Sequence, residues 1–502
     1  MLGTHDRLER DEDPNEAQDL LSYDDRMNMA NLSPQGMQDK TLSSISTTTT
    51  YSDGPTNTQA SLSRAPTADG EEMALTEGRR HIEYRVYKLR WFGLIQLILL
   101  NIIVAWDWLS YAAVANTAAD FFSTDSSTIN WLSTSSLFAF VAASPATLWT
   151  LHKGGPRSAI ITSSLLILCG NWIRYAGSRT SPPSFGLTMF GQIIIGLAQP
   201  FVLSAPTQYS NLWFTPAGRV STIAVASLAN PFGGALGQLI DPFLAAKASD
   251  IPTMTLCVAI ISTVATIPSF FIPAKPPTPV SPSSTRPPPS FTETLRLLSV
   301  NPTFYLLFIP FAIYVGFFNS TASLLTQILT PYNFSETSSG IAGAVLILVG
   351  LVSAAITSPI MDRTKAYLPF IKIAVPIIAT CYFAFIWAPG TRTIVAPYIV
   401  LAILGAASFS LVPIALDYLV ENTYPAGPEA GSTICWAGGQ LVGGIFVVVS
   451  DALKEGKDAD PPFTMRKALV FQAIVAVAAV PSALALGWVG KGRNRTLDIG
   501  EG

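Results

Sequence analysis

"WFGLIQLILLNIIVAWDWLSYAAVAN", residues 91–116, is an unbroken apolar run that carries one aspartate between two tryptophans. A helix rises about 1.5 Å per residue, so roughly 20 apolar residues cross the hydrocarbon core of a bilayer. The run therefore predicts a transmembrane helix. Asp107, set between Trp106 and Trp108, is the anomaly in it. An acid within a span is costly to hold there and marks a substrate or proton route when it faces a cavity.

Working outward, the same pattern recurs along the chain. Twelve runs of this kind lie at 91–116, 129–151, 157–177, 184–210, 218–246, 253–273, 302–329, 337–361, 367–388, 392–420, 427–453 and 465–488. The 502-residue chain is 49% hydrophobic and only 13% charged, about half the charged fraction usual in a soluble protein. The fold class expected is an all-α polytopic membrane protein with 12 transmembrane helices.

The longest gap between runs is 274–301, "AKPPTPVSPSSTRPPPSFTETLRLLSVN". Its prolines break helices and mark a linker. The expected organisation is a disordered tail over 1–83, a six-helix bundle over 84–273, the linker over 274–301, a second six-helix bundle over 302–490 and a short tail over 491–502. The Ser/Thr-rich tail is too polar to bury a core. Six plus six around a central loop is the plan of the major facilitator fold, in which two repeats flank a central substrate path.

Two fragments echo one another across the halves. "PAGRVSTIAVASLANPFGG" begins the fifth run and "PAGPEAGSTICWAGGQLVGG" the eleventh. In each, Pro-Ala-Gly is followed by a carboxamide, Asn230 or Gln440, and then by Gly-Gly, which permits close helix approach.

Lys and Arg sort by loop into fifteen on the side of the N-terminus and eight on the other, with Arg174 counted among the eight. The positive-inside rule then places both termini in the cytoplasm, of the plasma membrane or an organelle. Asn333, in the sequon Asn333–Phe334–Ser335, falls in an outer loop as a glycosylation candidate. On the inner side, Asp362, Arg363 and Lys365 in "MDRTKAYLP" are candidate gating residues, as are Asp417 and Glu421 near the end of run ten.

The composition argues against other classes. No basic face interleaved with aromatics suggests nucleic acid. No HExxH or CxxC pattern or nucleophile–base pair suggests an enzyme, a metal site or a resident cofactor, and all three histidines lie outside the runs. The cysteines sit within runs and read as packing residues. The expected partners are the lipid bilayer and a small-molecule substrate, handled by a monomer.

At about 100° per residue, Asp107, Trp108 and Tyr111 share one face of the first helix, with Trp106 turned toward another helix or lipid. Electron-rich rings attract organic ammonium ions. With no Lys, Arg or His placed deep in a run to pair with it, Asp107 reads as countercharge to a cation. A proton site, or an interfacial belt with Trp108 and Tyr111, are the alternatives. Gln199 and Gln440, midway along their runs, read as substrate ligands or as helix–helix hydrogen bonds.

The segments "YRVYKLRWFGLI", "WDWLSYAAVAN", "INWLSTSSLFAF", "GQIIIGLAQPFVLSAPTQYSNLWF", "MDRTKAY" and "ENTYPAGPEAG" resemble the feline leukaemia virus subgroup C receptor-related transporters. That family is described as carrying choline, ethanolamine or haem. The resemblance, over roughly 84–490, implies a choline cage in which Trp108 is the first-helix tryptophan and Gln199 and Gln440 are nearby glutamines. The family's seventh-helix tyrosine falls on Asn319, preceded by Phe318, and its neutral glutamine falls on Asp107. A small organic cation carried by alternating access, as a uniporter, is the function expected. Haem transport and a transporter-like nutrient sensor are the alternatives.

Overall fold

Lipid offers a backbone no hydrogen-bond partners, so each apolar run must satisfy its own N–H and C=O groups as a helix. The computed structural model describes residues 85–280, 296–423 and 428–487. Its helices are α1 (Arg90–Ala113), α2 (Ala115–Phe122), α3 (Ser126–Arg179), α4 (Phe185–Trp213), α5 (Pro216–Leu244), α6 (Ile251–Thr266), α7 (Pro302–Leu329), α8 (Glu336–Thr364), α9 (Tyr367–Phe385), α10 (Val395–Thr423), α11 (Pro428–Ala452) and α12 (Arg466–Leu484). Among the described residues, 11 helices are long and apolar enough to cross a membrane.

α3, with 54 residues, would be about 80 Å long if straight, more than twice the bilayer core. It is two spans that meet at Gly155, where φ 68° and ψ −174° suit a residue without a side chain. The runs predicted at 129–151 and 157–177 fall on either side. The described residues thus form twelve crossing segments. Four helix starts carry side-chain caps that satisfy otherwise unpaired N–H groups: Asp125 accepts from the Thr128 backbone at 3.2 Å, Ser184 from Leu187, Asn301 from Thr303 and Ser335 from Ser338.

The crossings alternate between two faces. One carries α2 and the connections at 180–184 and 330–335 (the α2 face); the other carries Gly155 and the connections at 214–215 and 296–301 (the Gly155 face). The packing falls into two halves. In the first, α1 packs on α5, and α3 on α4 and α6; in the second, α7 packs on α11 and α12, and α10 on α8 and α9. The halves meet where α5 lies against α8, α3 against α11 and α1 against α7.

The paired Gly-Gly motifs explain two of those contacts. A Cβ at Gly233 would lie 2.0 Å from the Ile102 carbonyl oxygen of α1. A Cβ at Gly443 would lie 2.9 Å from the Asn319 side chain of α7. Each half therefore seats its fifth span against its first by the same device.

The N-terminal tail, residues 281–295 of the linker, 424–427 and 488–502 lie outside the described residues, as do the side chains of Asp362 and Glu421.

Candidate substrate-binding site

Between the halves lies a cavity of about 510 Å³. The first half contributes Trp108 from α1, Gln199 from α4 and Asn230 from α5. The second contributes Phe318 and Asn319 from α7 and Gln440 from α11. Six of the eight residues expected to bind substrate thus come together.

Their local order follows from helix packing. Asn319 donates to Gln440 Oε1 at 2.8 Å, which ties α7 to α11 and fixes both carboxamides. Phe318 meets Phe409 of α10 edge-on, with ring centroids 5.2 Å apart. Phe317, one residue earlier, turns into the core and stacks on Phe446 at 4.2 Å. Trp108 Nε1 and Gln199 Oε1 have no hydrogen-bond partner among the described residues. None of the described lining residues is Lys, Arg or His, and the one formal charge is Asp417.

Asp107 and Tyr111 are not brought into this cavity. Asp107 is fully buried, and Arg174 Nη1 lies 3.3 Å from its Oδ1. Asn171 donates to Oδ2 at 2.7 Å, and Gln192 to the Asp107 backbone carbonyl at 3.1 Å. Tyr111 lies under the same guanidinium, 5.0 Å from ring centroid to Cζ. The expectation that no cation sits deep enough to partner Asp107 is therefore corrected. Arg174 lies inside the run 157–177, three residues from its end, and counts there as an outer-side charge. The helix continues to Arg179, so Arg174 sits more than a turn inside it and is buried. The i, i+3 spacing of Asn171 and Arg174 was the available signal, since it places both on the face toward α1.

Trp106 does face another helix. Its indole N–H donates to both carboxylate oxygens of Asp241 on α5, at 3.0 and 3.1 Å. Asp241 is fully buried and was missed because "GQLIDPFLAA" reads as the end of a run. Asn101, Phe311 and Trp436 also line the cavity without having been singled out.

The described hydrogen bonds between the halves cluster toward the α2 face. Glu336, at the start of α8, accepts from the backbone N–H groups of Asn116 and Thr117 at 2.8 and 3.3 Å. It also accepts from the Thr117 hydroxyl at 2.6 Å. These N–H groups belong to the first turn of α2, where no intrahelical acceptor exists and the helix dipole favours an anion. Asp451 of α11 accepts from Ser127 and Asn130 at 2.9 and 2.8 Å. Lys454 donates across the halves to Ser126 at 2.9 Å and, within its own half, to Gln327 at 3.3 Å. The cavity, by contrast, extends toward the Gly155 face, where Met361 and Asp417 line it.

Of the gating candidates on that face, Arg363 is exposed and Lys365 donates locally, to Tyr367 Oη at 3.4 Å. Asn333 is exposed on the α2 face, at the left-handed position that ends a short 3-10 turn.

Two six-span halves around a central aromatic and carboxamide cavity, sealed at one face, define an alternating-access transporter. The family model for the Major Facilitator Superfamily matches residues 97–448, and the chain belongs to that superfamily. It is a relative of solute carrier family 49. It is 30% identical over 403 residues to solute carrier family 49 member A3 of Danio rerio, covering 79% of this chain and 84% of that protein. It is 29% identical over 406 residues to the choline/ethanolamine transporter FLVCR1 of Felis catus, covering 77% and 72%. Among solved structures, a bacterial homolog of the human lysosomal transporter Spinster superposes with a TM-score of 0.62 at 15% identity, covering 81% of this chain and 98% of that one. The D-xylose-proton symporter superposes with a TM-score of 0.62 at 12% identity, covering 78% and 97%. The chain is a transport protein and not an enzyme.

Proposed function

We propose that the substrate is a small organic cation of the choline or ethanolamine kind, carried as a uniport. The observation that carries this reading is that Trp108 and Phe318, from opposite halves, line one cavity with no described Lys, Arg or His beside them. Aromatic faces attract an ammonium group electrostatically, by about 2 kcal/mol or more once water is excluded. The carboxamides of Gln199, Asn230, Asn319 and Gln440 add neutral dipoles that can orient a hydroxyl or amine. The FLVCR1 relative is named a choline/ethanolamine transporter, which supports the same reading. Haem, with two propionates, would gain from basic lining residues, and the described lining supplies none.

The positive-inside count supports placing the Gly155 face and both termini in the cytoplasm. On that placement the structure is the inward-open state, and Glu336, Asp451 and Lys454 hold the outer face shut. Asp362, Arg363, Lys365 and Glu421 then act at the inner gate when the halves rock together. The helix pairing supports the division into bundles at 84–273 and 302–490.

The test is uptake of labelled choline, ethanolamine and a haem analogue into proteoliposomes. Saturable uptake of an amine, increased by an inside-negative potential, is expected. Uptake of the haem analogue with no amine uptake would contradict the reading.

A further inference from the structure

Asp417 is the one formal charge among the described residues that line the cavity, and its depth matters. It lies six residues before the end of α10, or about 9 Å along the axis from the Gly155 face. Trp436 lies eight residues into α11, about 12 Å deep, and Phe311 nine residues into α7, about 14 Å deep. Trp436 and Phe311 meet edge-on, with centroids 5.7 Å apart. The residues of the central site lie deeper. Gln440 is twelve residues into α11, about 18 Å, and Trp108 eighteen residues into α1, about 27 Å. The cavity thus has two polar and aromatic layers, and only the shallower one carries charge.

We propose that Asp417, Trp436 and Phe311 form a second subsite for an organic cation, between the central site and the Gly155 face. The inference rests on the organic-cation reading above. Asp107 cannot supply the countercharge, because Arg174 already holds it outside the cavity. Asp417 is exposed, and an acid on a cleft with low-dielectric walls concentrates cations there, while the two rings give an ammonium group an apolar, electron-rich wall. Asp417 also has an interaction within the chain, and an ionised carboxylate has about four acceptor positions. A shallow, charged station gives a cation leaving the central site a second place to rest before water, so that release proceeds in two smaller steps.

The experiment is equilibrium binding of tetramethylammonium to the purified full chain by calorimetry. Wild type is expected to show two sites. Asp417→Asn should weaken one by about 10-fold or more and leave the other within about 2-fold, while Asp417→Glu keeps both. Trp108→Ala should remove the site that Asp417→Asn spares. Added salt should weaken the Asp417-dependent site more than the other. A single wild-type site that Asp417→Asn leaves unchanged overturns the subsite and leaves the central reading standing. A single site that depends on Asp417 and ignores Trp108 sustains the subsite and removes the central reading. No binding to wild type overturns both. If Asp417→Asn loses both sites through misfolding, Trp436→Leu decides: loss of one site supports the proposal, and loss of neither overturns it.

Discussion

Arg174 and Asp107 form an ion pair across α1 and α3, 3.3 Å from Nη1 to Oδ1, with neither side chain reaching solvent or the cavity. The pair explains why an aspartate is tolerated in the first span. It also turns Asp107 from a substrate ligand into a strut that holds α1, and so Trp108, against the rest of its half.

Breaking such a pair from one side strands a buried charge, at a cost of about 3–5 kcal/mol, while replacing both charges together is often nearly neutral. Asp107→Asn and Arg174→Met should each lower the thermal unfolding temperature of the purified protein sharply. The double variant should recover most of the loss, a non-additivity that marks direct coupling. Equal and additive losses would show that the two side chains do not act as a pair.

This pair also shows where the sequence was legible and where it was not. Length and hydropathy locate every span, including both spans of α3, because lipid leaves the backbone no alternative to helix. Helical phase correctly separates Trp106 from Trp108. Tertiary pairing is what phase cannot give: Asp107 and Trp108 are neighbours on the helix, yet α3 claims one and the cavity the other. Arg174 looked like an outer-loop charge because a long polar side chain near a helix end ordinarily reaches toward water. Its i, i+3 spacing from Asn171 puts both on one face, and the position of α1 shows that this face turns inward.

Glu336 binds the first turn of α2 across the two halves. A hydrogen bond to a charged group contributes about 1.5–3 kcal/mol, so Glu336→Ala should shift the resting population toward a state open at the α2 face. Distances between spin labels placed on α2 and on the start of α8 report this directly. The account expects a longer-distance population to grow several-fold; an unchanged distribution would remove Glu336 from the latch.

Gly233 sets the approach of α5 to α1, with the Ile102 carbonyl oxygen 2.0 Å from the place a Cβ would occupy. Backbone cannot yield as a flexible side chain can, so Gly233→Ala must push the helices apart. Overpacking of this kind costs about 1–3 kcal/mol, and melting of the purified variant measures it. Gly186, with nothing near its absent Cβ, is the control, and alanine there should be tolerated.

Asp125 caps α3 at the exposed α2 face. The hydrogen bond from the Thr128 side chain, followed by that from its backbone, holds the Asp125 carboxyl below its ordinary value of 3.8. A depressed carboxylate stabilises the fold fully above that ordinary value and loses its contribution as pH falls through the folded value. Asp125→Ala should lose about 1 kcal/mol of cap stability at neutral pH. Asp125→Asn should keep most of the cap while reducing the acid sensitivity below about pH 4. Melting curves at neutral and acid pH compare the three proteins.

The central claim is that Trp108 recognises an organic cation in the cavity between the halves. Its most direct measurement is dose-dependent uptake of labelled choline into proteoliposomes, wild type against Trp108→Ala, at matched protein incorporation. A desolvated cation–π contact of about 2 kcal/mol corresponds to roughly 30-fold in affinity. The account predicts a loss of that order at sub-saturating choline, with Trp108→Phe retaining part of the function. Uptake by Trp108→Ala that matches wild type across the whole concentration range would contradict it.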